Sequence, residues 1–169
     1  MAETIYLLLG SNLGDREQNL ALAESKLNAV EGLELLAVSS IYESSAVDMT
    51  GEQPLFLNQV IKADYLYTPV ELLDHTERIE QELGRTDKGR RAPRSIDLDI
   101  LLFGQRTVKT DRLVVPHPEL TRRPFALVPL IEIEPGIVHP VTGKPLSSYL
   151  SGESVRSVML FKEYVARNL

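Results

Sequence analysis

Two acidic residues stand in a stretch that is otherwise apolar. Residues 94–103 read Arg94-Ser95-Ile96-Asp97-Leu98-Asp99-Ile100-Leu101-Leu102-Phe103, the composition of a buried strand. Side chains alternate along a strand, which puts Asp97 and Asp99 on one face and Ile96, Leu98, Ile100 and Leu102 on the other. At a rise of ~3.3 Å per residue the two carboxylates start ~6.6 Å apart. An unpaired carboxylate in apolar surroundings costs several kcal/mol, so both need a cation. Two sources are open. Arg90, Arg91 and Arg94 are close in sequence. The other is Mg²⁺, a hard cation that takes carboxylate oxygens and shares its remaining positions with phosphates. Asp-x-Asp by itself does not choose between them.

Other candidates flank this stretch. Arg85, Lys88, Arg90 and Arg91 surround Gly89 in a locally basic run just before it. Charge runs are usually solvated, but this position favours phosphate binding, because arginine clamps phosphate oxygens bidentately. His117 is held between Pro116 and Pro118, although a lone histidine is more often structural. Asn58 shares a strand face with Phe56, Val60 and Lys62. Such an amide usually satisfies backbone groups; less often it reads a heterocycle edge with its donor and acceptor together. Glu77 and Glu80 flank a helical apolar stripe, where solvation is the ordinary explanation.

The elements that position these residues follow from periodicity. Thr4–Leu9 is a first strand, closed by Gly10-Ser11-Asn12-Leu13-Gly14-Asp15, a tight turn with no GxGxxG pattern. A helix over 15–30 carries Leu20, Ala23, Leu27 and Val30 on one face, with Asp15 as N-cap and Gly32 past its end. Leu33–Tyr42 is a second strand, and residues 44–54 form a long polar loop. Phe56–Tyr67 is a third strand. Thr68, Pro69 and Glu71 open a helix with the stripe Leu72, Thr76, Ile79, Leu83, ended by Gly84. The aspartate strand follows. After a turn at Phe103–Arg106, residues 107–115 return as an extended segment, and Ala126–Ile133 leads to Pro135-Gly136. Residues 155–165 read equally as strand or helix. The order is βαββαβ, an α+β domain of the ferredoxin-like type with an added hairpin strand and C-terminal helices. One domain over residues 1–169 is expected.

Composition narrows the classes. The 169 residues include no cysteine and three histidines. Disulfides and cysteine-ligated zinc are thereby excluded, and a multi-histidine site is disfavoured. A net charge of −6 argues against general nucleic-acid binding. No apolar run reaches membrane-spanning length and no basic leader precedes the first strand, so a cytoplasmic protein, monomeric and without membrane partners, is expected.

Four motifs occur in fixed order: Gly10-Ser11-Asn12-Leu13-Gly14; Gly84-Arg85; residues 92–104, A-P-R-S-I-D-L-D-I-L-L-F-G; and residues 115–135, V-P-H-P-E-L-x-R-R-P-F-A-L-x-P-L-x-E-I-x-P. Together, from about Ile5 to Pro140, they resemble the 6-hydroxymethyl-7,8-dihydropterin pyrophosphokinases of folate biosynthesis. The resemblance implies a ferredoxin-like fold and ATP as co-substrate. It implies attack of the pterin's hydroxymethyl oxygen on the β-phosphorus, with AMP leaving, and no obvious general base. It also implies two Mg²⁺ ions held by Asp97 and Asp99. Arg85 and Arg94 take the place of phosphate-contacting catalytic arginines. Glu80, Ile100, His117 and Arg123 fall on the nucleotide side. Asn58 matches the asparagine that reads the pterin's amide edge, and Phe125 the aromatic that stacks on its ring. Phe56 stands where a tyrosine is frequent, and Ser44, Ser45 and Val47 occupy the segment lining the pterin pocket. Departures fall mainly in the basic run: Arg91-Ala92 replaces a frequent Trp-Gly, and Asp87-Lys88 replaces a second arginine. Two other readings compete: a different Mg²⁺-dependent nucleotide phosphotransferase, and a ferredoxin-like module that binds RNA or a regulatory ligand.

Overall fold

The computed structural model describes residues 1–45, 55–84 and 95–163. Strand β1 (Glu3–Ser11) leads into helix α1 (Arg16–Asn28), and strands β2 (Leu33–Val38), β3 (Ile41–Ser44) and β4 (Phe56–Tyr65) follow. Helix α2 (Pro69–Leu83) precedes strand β5 (Asp97–Phe103), the acidic strand. Helix starts match their residue chemistry. Asp15 accepts the Gln18 N–H at the head of α1, and Thr68 accepts the Glu71 N–H at the head of α2 while its hydroxyl donates to the Glu71 carboxylate.

The main sheet is antiparallel and runs β5-β1-β4, with β2 and β3 both paired to the far side of β4. Counting β2 and β3 as halves of one kinked strand, this is the βαββαβ order of a ferredoxin-like domain. The single strand expected over Leu33–Tyr42 breaks at Ser39-Ser40 because these serines offer the backbone other partners. The Ser39 hydroxyl donates to Ser40 O and accepts from Val60 N, and Gln59 Nε2 donates to Ser39 O. The third strand ends two residues earlier than expected, where Leu66 N–H turns to Gly32 O.

The two sheet faces carry separate cores. Ile5, Leu7, Leu9, Ile61, Leu98 and Ile100 pack under α1 and α2, against Leu20, Leu27, Leu72 and Ile79. Tyr6, Leu8 and Val60 face the opposite way, toward helix α3 (Pro124–Ile133) and its buried Ala126, Leu127 and Leu130. Leu102 belongs to this second core, not to the face of Leu98 and Ile100 that strict alternation predicts. The register explains it: Tyr6 pairs with Leu102 and Leu7 with Ile100, which leaves Leu101 as a bulge.

The hairpin after β5 also departs from expectation. Strands β6 (Val108–Lys109) and β7 (Val114–Val115) form a small sheet of their own. The ambiguous tail resolves into both candidates in turn: a short helix α4 (Gly152–Arg156), then strand β8 (Val158–Lys162), which extends the main sheet beyond β3. No helix among the described residues is long and apolar enough to cross a membrane.

His139 pins the turn that precedes this tail. It is 9% exposed, and its Nδ1 accepts the N–H groups of Val141 and Thr142. Burial lowers its pKa below the ordinary value. The unfolded chain therefore binds the proton first, and the stability His139 contributes above pH ~6.5 declines as pH falls through that value toward the folded-state pKa. Urea unfolding between pH 7.5 and 5 is expected to show this loss, and His139→Asn, which keeps an acceptor that cannot titrate, is expected to flatten it. An identical pH slope in the variant would remove His139 as its source.

Candidate active site

Three strands meet to form the floor of the site. Gly10 of β1 lies directly between Asn58 of β4 and Asp97 of β5. Directly paired residues share a sheet face, here the one turned away from α1 and α2. Two strand spacings separate Asn58 from Asp97, about 10 Å. A Cβ at Gly10 would lie 3.7 Å from Asn58 Oδ1 and 3.7 Å from the Phe56 ring. That is ordinary contact, so glycine is not forced by crowding; what its missing side chain leaves is open space above the floor. Asp99 pairs with Leu8, one step along the same face.

The acidic strand is gripped from three directions. β5 is the outermost strand on its side, so the Leu98 N–H, between the two aspartates, points off the sheet. Glu80 of α2, buried to 7% exposure, accepts that N–H at 2.9 Å. Where the strand begins, Ser95 O accepts the Ser11 hydroxyl and the Asn19 side-chain N–H. Asn19 also donates to Leu13 O. The Gly10–Gly14 motif is thus a turn that locks the start of β5. Gly84 closes on the same point, since a Cβ there would collide with the Ser95 side chain.

The cation beside Asp99 is one that sequence proximity did not offer. Arg123 Nη1 stands 3.5 Å from Asp99 Oδ2 and lies over the Phe125 ring, 5.6 Å from its centre. Arg90, Arg91 and Arg94 lie outside the described residues, as do the predicted site residues Arg85 and Val47.

His117 is a second neighbour of Asp99, with which it lines a cavity. Its backbone N–H donates to Leu101 O, and its Nδ1 accepts the Glu119 N–H. Burial lowers its pKa, opposed by Asp99 and helped by Arg123. A neutral ring accepting at Nδ1 carries its proton on Nε2, which makes that edge a donor. A cavity of about 260 Å³ opens here, lined by Asp99, Ile100, His117, Leu113 and Arg112 among others. The hairpin between β6 and β7 supplies part of this wall, which the sequence reading missed. The one available signal was an arginine in a short extended segment. Arg112 is held by Asp74 and Glu77 of α2, each at 2.8 Å, so Glu77 is an anchor for that wall. Glu80 is not among the residues that line this cavity; its carboxylate accepts the Leu98 N–H of the acidic strand.

The opposite side of the row is a set of amide and aromatic groups. Asn58, 2% exposed, donates from Nδ2 to Ser44 Oγ at 2.7 Å and to Tyr42 O at 3.5 Å. Phe56 and Phe125 are half-buried and Ser45 is exposed.

Asp97 and Asp99 suit a hard cation. They are paired on one face and half-exposed. No group of three or more histidine, cysteine, aspartate or glutamate side chains that could hold a metal occurs among the described residues. Two carboxylates with room beside them fit Mg²⁺, which completes its shell with water and phosphate; they do not fit a closed zinc site.

A ferredoxin-like sheet with an acidic pair at one end and a histidine–arginine cavity beside it defines the class, an α+β phosphate-transferring enzyme. The chain belongs to the 7,8-dihydro-6-hydroxymethylpterin-pyrophosphokinase family, whose pattern matches residues 6–135. It is 44% identical over 146 residues to the 2-amino-4-hydroxy-6-hydroxymethyldihydropteridine pyrophosphokinase of Aquifex aeolicus, covering 86% of this chain and 89% of that protein. The enzyme of the same name from Bacillus subtilis is 44% identical over 133 residues, 79% of each chain. The folic acid synthesis protein fol1 of Pneumocystis carinii is 40% identical over 147 residues, 87% of this chain but 20% of that longer protein. A solved structure of Plasmodium falciparum HPPK-DHPS with pteroate superimposes with a TM-score of 0.68 at 13% identity, over 88% of this chain and 44% of that one. At that identity the likeness speaks for the fold alone.

Removing the Glu80 carboxylate would leave the Leu98 N–H buried without this acceptor. Glu80→Ala is expected to destabilise the fold by about 1–3 kcal/mol, read from urea unfolding, and Glu80→Gln to recover most of the loss. A Glu80→Ala protein as stable as the parent would exclude this role.

Proposed function

We propose that this chain transfers the pyrophosphoryl group of ATP to the hydroxymethyl oxygen of 6-hydroxymethyl-7,8-dihydropterin. The products are AMP and the dihydropterin diphosphate, a step in folate biosynthesis. Family membership supports the reaction class. The observation that carries the reading in this chain is the row Asn58–Gly10–Asp97 across three strands. With its N–H groups turned to Ser44 Oγ and Tyr42 O, the Asn58 amide presents Oδ1, an acceptor that suits the N–H groups on a pterin's edge. The half-buried Phe125 offers a face for its ring. A bicyclic ring and its hydroxymethyl arm, laid over Gly10, would bring the nucleophilic oxygen toward the acidic pair.

ATP is assigned to the side of His117. There the neutral imidazole offers an Nε2–H to an anionic or ribose oxygen, and Arg123 offers a guanidinium to a phosphate. Ile100 and Leu113 give the cavity apolar walls. Arg85 and Arg94 are assigned to the triphosphate as well. Asp97 and Asp99 would hold Mg²⁺, two ions in this reading, whose chemistry is to neutralise phosphate oxygens and align them. The hydroxymethyl oxygen attacks the β-phosphorus in line with the departing AMP oxygen. Transfers of this kind depend on positioning and charge balance more than on a strong base, and no side chain is assigned as one.

Incubating the protein with ATP, Mg²⁺ and the reduced hydroxymethylpterin is expected to produce AMP and a pterin diphosphate in equal amounts. Release of ADP would instead mean attack at the γ-phosphorus and would overturn the reading. Asp97→Ala and Asp99→Ala are each expected to lower kcat by at least about a hundredfold, the scale of losing one electrostatic contact to the transition state. Either variant retaining near-normal turnover would count against the shared metal site.

A further inference from the structure

Glu132 lies in the last of the four sequence motifs, and none of the roles described above uses it. Its carboxylate is the acceptor for a cluster of donors from the kinked strand. Ser40 N–H approaches both oxygens at 3.1 and 3.2 Å, the Ser40 hydroxyl approaches Oε2 at 2.9 Å, and the Tyr42 hydroxyl approaches Oε1 at 2.6 Å. Ser40 is 2% exposed. Burial, and then the bond to Glu132, raises the Tyr42 pKa, so the phenol keeps its proton and acts as the donor.

These contacts join the two walls assigned to the pterin. On one side is α3, which carries Phe125 in its first turn and Glu132 in its last. On the other is β3, which runs from the Ser39-Ser40 break through Tyr42 to Ser44. Ser44 Oγ and Tyr42 O are the two groups that orient the Asn58 side chain. Shifting β3 relative to α3 would change the gap between the Phe125 ring and the Asn58 amide.

We propose that Glu132 is a positioning residue for the pterin: by clamping Ser40 and Tyr42 it sets the spacing between Phe125 and the Asn58–Ser44 edge. This rests on the reading that the pterin binds between those groups. The clamp calls for a carboxylate because every partner is a donor. Glutamine has nearly the same shape but would aim an N–H at one of those donors, and so turns an attraction into a conflict. Tyr42→Phe deletes one donor and leaves the Ser40 contacts in place.

The test measures two dissociation constants in each of the full-length parent, Glu132→Gln, Tyr42→Phe and the double variant. One is for a non-hydrolysable ATP analogue with Mg²⁺; the other is for 6-hydroxymethyl-7,8-dihydropterin in the presence of that analogue at saturation. Thermal melts confirm that each variant is folded. Pterin affinity is expected to fall about tenfold in Glu132→Gln and by a smaller factor in Tyr42→Phe, with the nucleotide constant unchanged. The double variant is expected to lose less than the product of the two single effects, because both act through one contact. Folded single variants that bind the pterin as tightly as the parent would overturn the proposal, as would equal losses for both ligands. A parent protein that takes the nucleotide but not the pterin would overturn the reading of the site itself, which is a separate result. If Glu132→Gln fails to fold, Tyr42→Phe alone decides the matter.

Discussion

Repulsion between two carboxylates on one strand face is the constraint around which this structure is arranged. At ~6.6 Å, with an effective dielectric of about 20, two like charges repel by roughly 2–3 kcal/mol. Water reduces this at Asp99, which is 37% exposed. β5 tolerates the pair because it is the outermost strand on its side of the sheet. One side of it is bonded to β1, while the other is free to take Glu80 at a backbone N–H and to present both acids at the sheet's end. Arg123 supplies charge balance at Asp99. A central strand would have neither the space for ligands nor the spare N–H. Helix α2 and the turn after β1 hold the backbone of the first half of β5, and Arg123 at the start of α3 meets one of its acids.

Local chemistry was legible in the sequence wherever it depended on near neighbours. Asp15 and Thr68 cap their helices, and Leu20, Ala23 and Leu27 are buried as their spacing requires. The ferredoxin-like order followed from the alternation of periods alone. The first errors came where one residue changed a period. The Leu101 bulge moved Leu102 to the other face, and nothing in a run of isoleucine and leucine marks which residue will be extruded. The Ser39-Ser40 break had a compositional signal, since paired serines weaken a strand, but its depth came from Gln59 and Glu132. Those are contacts made only after folding.

The site shows the same division. Its residue types could be picked out, and the cross-strand row brings Asn58 and Asp97 onto one face with Gly10 between them. Not every neighbour could be picked out. Arg90, Arg91 and Arg94, nominated for the aspartates by sequence proximity, lie outside the described residues, while Arg123, distant in sequence, stands beside Asp99. Glu80, read as an exposed edge residue or a nucleotide contact, holds the backbone of the strand that carries the acids. The wall formed by Arg112 and Leu113 was invisible because a hairpin of two-residue strands has almost no periodicity to read.

The meeting of Gly84 and Ser95 has a consequence for how such an enzyme can vary. A Cβ at Gly84 would run into the Ser95 side chain, so the end of α2 packs directly on the residue that leads into β5. A side chain at position 84 would have to push α2 and β5 apart, and Glu80, one turn earlier on α2, would be drawn off the Leu98 N–H between the two aspartates. A position with no functional group of its own therefore limits how far the acidic pair can drift.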